Sequence, residues 1–342
     1  MQGPTDPLSD AARLSVAPMI DWTDRHCRFF HRQMSARALL YSEMVTAPAL
    51  VRGGARHLLD FDPAESPVAL QLGGADPREL AEAARMAEDA GYDEVNLNLG
   101  CPSDRVQSGR FGAVLMQKPA LVAECLSEMV AAVRLPVTAK CRIGVDVQDP
   151  EDVLPAFLEA VRAAGVQRVI IHARKAWLSG LSPKENRDIP PLDYPLVREM
   201  KRRFPEMHLS INGGVQTLEE AEAHLAAGMD GVMIGRAAYQ RPADILLAAD
   251  QRIFGETAPA ITARDVAERM RPYIARHLEA GGSLHQVTRH MLGLFAGQTG
   301  ARGWRRVLSE GAVRPGAGLE VLEAALERVP ASGDGILEAR SS

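Results

Sequence analysis

A chain of 342 residues, 46% hydrophobic and 24% charged, is long enough for one large barrel with a small appendage, and it is too apolar to be a disordered or collagen-like chain. No run of 18 apolar residues offers a membrane span, and the formal net charge of −5 argues against a protein that is basic over its whole surface. Distribution qualifies that total: residues 284–309 hold Arg289, Arg302, Arg305, Arg306, two histidines and no acid, so a local basic face is available.

The opening stretch MQGPTDPLSDAAR lacks the basic-then-apolar order of a secretory signal, and residues 1–13 read as a disordered N-terminal tail. From residue 14, short apolar runs alternate with amphipathic helical patterns at roughly 30-residue spacing. Strands are expected over 14–19, 38–44, 68–72, 94–99, 136–142, 168–173, 208–212 and 231–236, with helices such as 76–90, 119–133 and 217–227 between them. Eight such units imply an α/β fold, a (β/α)8 TIM barrel over residues 14–255, and no GxGxxG follows a strand to suggest a separate dinucleotide domain. Strand signals then stop. Helices over 262–279, 283–296 and near 319–329 imply a smaller all-α domain over 256–330, followed by a flexible tail over 331–342. Two links, 100–119 and 174–195, are long for plain barrel connections and read as binding loops.

Alternation along each strand separates two faces. Val95, Leu97 and Leu99 oppose Asn96 and Asn98; Val137, Ala139 and Cys141 oppose Thr138, Lys140 and Arg142; Val169, Ile171 and Ala173 oppose Ile170, His172 and Arg174. Gln71 and Asn212 stand similarly on the third and seventh strands. The apolar sets must meet the surrounding helices, so the polar sets point inward and converge on the C-terminal mouth, where barrel active sites lie. One buried lysine is explained as a paired structural charge; five strands converging on one mouth are not.

Asn212-Gly213-Gly214 ends the seventh strand and Gly235-Arg236 the eighth, the two positions from which barrels commonly hold a phosphate. Glycine at strand ends is also ordinary turn chemistry; the position after these two strands favours a cofactor that carries a phosphate. Of four cysteines, Cys27, Cys125 and Cys141 fall on a helix, an apolar helical stripe and an outward strand face. With no CxxC pair or adjacent histidine cluster, neither a disulfide framework nor a metal site is expected, and a reducing cytoplasm fits. Cys101 alone opens a long loop at the mouth, where a thiol could give or take a proton or act as a nucleophile; no nearby His or Asp decides which.

The stretches SVAPMIDWTDRHCR, LLYSEMV, ALQLGG, NLNLGCPSDRVQSGRFGAVLM, VTAKCRIG, IIHARKAWLSGLSPKENRDIPPL, INGGV and GVMIGRAAYQ resemble the tRNA-dihydrouridine synthases, and SPKENR with GARGWRRVLSEG resembles their A-type subfamily. The similarity runs from residue 14 to residue 311 and touches all eight strands. It implies an FMN-dependent oxidoreductase that reduces uridine in tRNA at U20 and U20a, with NADPH as reductant and no protein partner. By this resemblance Ala17, Pro18 and Met19 would line the flavin, and Gln71 and Lys140 would bond its ring. His172, Asn212, Gly213, Gly214, Gly235 and Arg236 would hold the phosphate. Asn98 would contact the uracil, and Cys101 would protonate C5 as hydride passes from flavin N5 to C6. Lys184, Arg187, Arg302 and Arg305 would contact tRNA, the last two from a tRNA-binding helical domain. Three rival readings are a flavin barrel acting on a small pyrimidine, a non-redox barrel binding a phosphorylated substrate, and a pure RNA-binding module, which leaves the polar mouth unexplained. The basic C-terminal segment speaks against the first, and a yellow, FMN-containing protein would exclude the second.

Overall fold

The computed structural model describes residues 7–103, 106 and 109–330. Eight parallel strands close into a barrel in chain order: β1 Leu14–Val16, β2 Leu39–Thr46, β3 Val68–Gly73, β4 Glu94–Leu99, β5 Val137–Arg142, β6 Arg168–His172, β7 His208–Asn212 and β8 Gly231–Ile234. The fold is the TIM barrel that the alternation of elements implies. β1 is shorter than expected because Pro18, two residues past its end, has no N–H for the ladder. The outward residues Val95, Leu97, Leu99, Ala139 and Cys141 are fully buried beneath helices such as Pro77–Ala90 and Pro119–Ala132. The first of these helices begins where Asp76 accepts the Glu79 N–H, with Pro77 in the first turn, and ends at Gly91 in the left-handed region.

The described residues form two compact units: residues up to 21 with 38–235, and residues 22–37 with those from 236 onward. In the first unit, part of the expected tail is ordered. Pro7–Ala11 is a helix, Ala11 and Ala12 are buried, and Leu8 packs against a cluster containing Leu39, Tyr41, Ala69, Ile170 and Met233. Five residues are too few to show helical periodicity, so the sequence alone gave no sign of it. The tail over 331–342 lies outside the described residues, as do Asp104, Arg105, Gln107 and Ser108 of the first long loop.

The second unit is helical, with two corrections to the expected elements. The single helix over 262–279 is two, Ala263–Arg269 and Arg271–Glu279, because Pro272 starts a new first turn where its missing N–H is harmless. The helix expected over 283–296 ends at Thr288 and gives way to turns. The early helix Arg25–Arg32 belongs to this unit: Cys27 and Phe30 are fully buried, and the Phe29 ring stacks on Tyr273 at 3.9 Å. No helix among the described residues is long and apolar enough to cross a membrane.

Candidate active site

Parallel register sorts the inward-facing residues into rows. Gln71 pairs with Asn96, Asn96 with Thr138 and Thr138 with Arg168. Nearer the mouth Asn98 pairs with Lys140, and at the rim Arg142, His172 and Asn212 align. Gln71, Asn96, Thr138 and Asn98 are all buried, so each polar atom requires a partner. They supply one another: Asn98 Nδ2 donates to Gln71 Oε1 at 2.7 Å, Gln71 Nε2 to Asn96 Oδ1 at 2.8 Å, and Asn96 Nδ2 to Thr138 Oγ1 at 2.9 Å. Below them lies an ion pair that strand alternation does not disclose. Glu94, fully buried, meets Arg168 and accepts hydrogen bonds from Thr138 and, at 2.7 Å, from Tyr41. Burial raises the Tyr41 pKa, so the phenol remains a donor.

Lys140 donates to Asn212 Oδ1 at 3.0 Å, and Asn212 Nδ2 donates in turn to the Met233 carbonyl at 2.8 Å. No carboxylate pairs with this lysine among the described residues. Burial, and then the Arg142 charge, lower its pKa to about 8. Burial and the same cations push His172 well below its ordinary value, which leaves it a neutral ring at pH 7. A buried cation with no counter-charge marks a place where an anionic or carbonyl-rich ligand is favoured.

The end of β7 shows why glycine is needed. Gly213 has φ +106°, and a Cβ there would lie 2.5 Å from the His172 ring; at Gly214, φ +77°, it would lie 2.5 Å from Leu192. Tyr194 fixes this turn by donating to the Gly213 carbonyl at 2.6 Å. Beside the end of β8, a Cβ on Gly235 would sit 3.6 Å from Ala17 and 3.7 Å from Met19, so these residues are neighbours, with Pro18 between the latter two. Arg236 follows as the first residue of the helix Arg236–Gln240 in the second unit.

Cys101 is the one cysteine with partial exposure; burial pushes the Cys125 and Cys141 thiols up to about 12. Its N–H donates to Asn98 Oδ1 at 3.0 Å, its carbonyl accepts from Ala113 at 2.9 Å, and its Sγ lies 3.4 Å from the Ser103 hydroxyl. The thiol is therefore presented at the lip by a backbone fixed on both sides.

Two arginines that alternation assigns to the mouth are struts for the long loops. Arg142 donates to the carbonyls of Gly100 (3.0 Å), Lys175 (3.1 Å) and Asn186 (2.8 Å), and Arg174 donates to Pro190. Asn186, fully buried, donates to the carbonyls of Trp177 and Leu181 and accepts the Trp177 N–H at 2.7 Å. It pins the short helix Glu185–Asp188, so that Lys184 and Arg187 face solvent.

In the second unit, helix Ala301–Gly311 buries Ala301, Trp304 and Leu308 and exposes Arg302, Arg305 and Arg306 on the other side. Those three carry no ion pair among the described residues. Arg289, in the stretch free of acids, finds a partner outside it: it bonds Asp24 at 2.6 Å, and His290 lies 3.0 Å from the same carboxylate. Against the burial that opposes it, His290 and Arg289 hold the Asp24 carboxyl well below its ordinary range. The acid comes from the early helix, far away in sequence. No cluster of metal-ligating side chains occurs among the described residues.

The family model described as dihydrouridine synthase matches residues 15–329. A protein of Pasteurella multocida (strain Pm70) named tRNA-dihydrouridine(20/20a) synthase is 58% identical over 317 residues, covering 93% of this chain and 96% of its own length. Proteins with the same name from Vibrio cholerae (strain ATCC 39315 / El Tor Inaba N16961) and Escherichia coli (strain K12) are each 56% identical, over 94% and 93% of this chain and 98% and 92% of their own lengths.

Proposed function

The chain belongs to the dihydrouridine synthase family, and on that premise we propose that it reduces uridine to 5,6-dihydrouridine at positions 20 and 20a in the D-loop of tRNA, using FMN and NADPH. The observation that carries the reading is Lys140, a cation with no counter-charge among the described residues, in a mouth lined by amide donors and paired with Asn98 on the strand that leads to Cys101. FMN suits these residues: its phosphate suits the flat turn at Gly213 and Gly214, and its carbonyl-rich ring suits Lys140 and Gln71. Once reduced by NADPH, it would supply the hydride that saturates C6 of the uracil.

The protein's own groups do the rest. Ala17, Pro18 and Met19 present an apolar wall to the ring. His172, Asn212, Gly213, Gly214 and Gly235, with Arg236, hold the phosphate. Lys140 keeps a positive charge where electron density accumulates. Asn98 donates to a uracil carbonyl, and Cys101 gives its proton to C5, regaining one from solvent through its partly exposed position. The base must leave its stack to reach the mouth, a cost of a few kcal/mol. Lys184 and Arg187 on the loop helix, and Arg302 and Arg305 on the helical domain over 256–330, would repay it by gripping the phosphate backbone. A tRNA substrate fits a cytoplasmic enzyme.

The purified protein should be yellow and bind one FMN non-covalently. Tightness should fall above pH about 8 by up to about tenfold per pH unit, as Lys140 loses its proton. Mapping of dihydrouridine in tRNA from a strain lacking the gene tests the target: loss at any positions other than 20 and 20a overturns that assignment.

Arg302→Ala with Arg305→Ala should weaken tRNA binding and make the plot of log K against log[salt] shallower by about 1.4–1.8 units, the worth of two phosphate contacts. FMN content and NADPH oxidation should be unchanged. A wild-type salt slope would place the RNA elsewhere.

A further inference from the structure

We propose that Glu94, at the opposite end of β4 from the mouth and about 16 Å away along the strand, is a positioning residue that anchors the floor end of the hydrogen-bond chain orienting the active-site amides. A carboxylate facing Arg168 has only acceptors to offer, so the Thr138 hydroxyl, whose oxygen meets Glu94 Oε1, must spend its single proton there. Its oxygen is then an acceptor for Asn96 Nδ2, which turns Asn96 Oδ1 toward Gln71 Nε2. That fixes Gln71 Oε1 as the acceptor for Asn98 Nδ2 and turns Asn98 Oδ1 to the backbone N–H groups of Gly100 (3.2 Å) and Cys101 (3.0 Å). Each link has one permitted sense, imposed from the barrel floor by Glu94 and matched at the lip by the backbone N–H groups of Gly100 and Cys101, which can only donate.

Two consequences reach the chemistry. Gln71 and Asn98 each have one amide proton left over after these bonds, and Lys140 has two after its bond to Asn212, so the mouth offers protons at all three positions. It therefore favours a ligand edge made of carbonyl oxygens or an anionic nitrogen. The same chain ends on the N–H of Cys101, so the carboxylate also anchors the loop that carries the thiol. This inference rests on the reading of the mouth as the flavin and uracil site, and its test keeps the two separate.

Thr138→Val removes the hydroxyl, keeps the volume and leaves the Glu94–Arg168 and Glu94–Tyr41 contacts in place; Thr138→Ser keeps the hydroxyl. In FMN-free protein labelled with nitrogen-15, Thr138→Val should shift the side-chain amide signals of Gln71 and Asn98, and FMN affinity should fall about tenfold or more. Thr138→Ser should restore both. A purely structural role would lower the melting temperature while leaving those amide signals and the affinity alone. That result, or a well-folded Thr138→Ser that fails to restore them, overturns the proposal. If Thr138→Val does not fold, the pair Glu94→Gln with Arg168→Met serves: a neutral amide at position 94 can donate, so the same signals should move, and wild-type signals overturn the proposal. If wild-type protein takes up no FMN, the functional reading fails while the amide spectra still judge the relay.

Discussion

Replacing Cys101 with alanine should lower the rate of tRNA reduction by roughly 10²–10⁴-fold, the usual worth of a positioned general acid, while NADPH continues to reduce the flavin at the wild-type rate. The structure gives a reason for the separation. The backbone of Cys101 is held by Asn98 and Ala113 through main-chain groups that alanine retains, so the loop should keep its place when the thiol goes. Single-turnover measurements of the two half-reactions decide the matter. Equal losses in both would identify Cys101 as a packing or flavin-binding residue, and no loss in either would move the acid elsewhere.

Arg168→Met should destabilise the protein by roughly 3–5 kcal/mol, because it leaves the fully buried Glu94 carboxylate without its cation. Adding Glu94→Gln should recover most of that loss, since the uncompensated charge, rather than the missing pair, is what costs stability. Urea unfolding of the single and double variants measures both terms. A single-variant loss below about 1 kcal/mol, the range of an exposed pair, would mean that water reaches the barrel floor.

Much of the site is legible from period-two alternation. Asn96, Asn98, Lys140, His172 and Asn212 face inward because their outward neighbours are apolar, and that needs no knowledge of which strands touch. The ion pair of Glu94 and Arg168 is not legible this way, because each begins its strand and their meeting depends on how β4, β5 and β6 align. The bond between Arg289 and Asp24 is hidden for a similar reason, as nothing local tells a segment free of acids that an acid from another helix will meet it. Arg142 misleads in the other direction. Its inward position is correctly read, but its three carbonyl partners come from loops whose paths the sequence does not disclose. Backbone acceptors have no side-chain signature.

The second unit begins with residues 22–37 and resumes only at 236, and this order matters during synthesis. The early helix leaves the ribosome with Phe29 lacking the ring it stacks on, because Tyr273 has yet to be translated. With nearly 200 residues still to come at about 5–20 residues per second, Phe29 waits on the order of 10–40 s. For that interval the Phe29 ring lacks its Tyr273 partner, which makes this segment a natural point of engagement for chaperones. It also means that truncation at residue 236 cannot yield the C-terminal unit as an independent fragment; the missing helix would have to be supplied by circular permutation or by fusion.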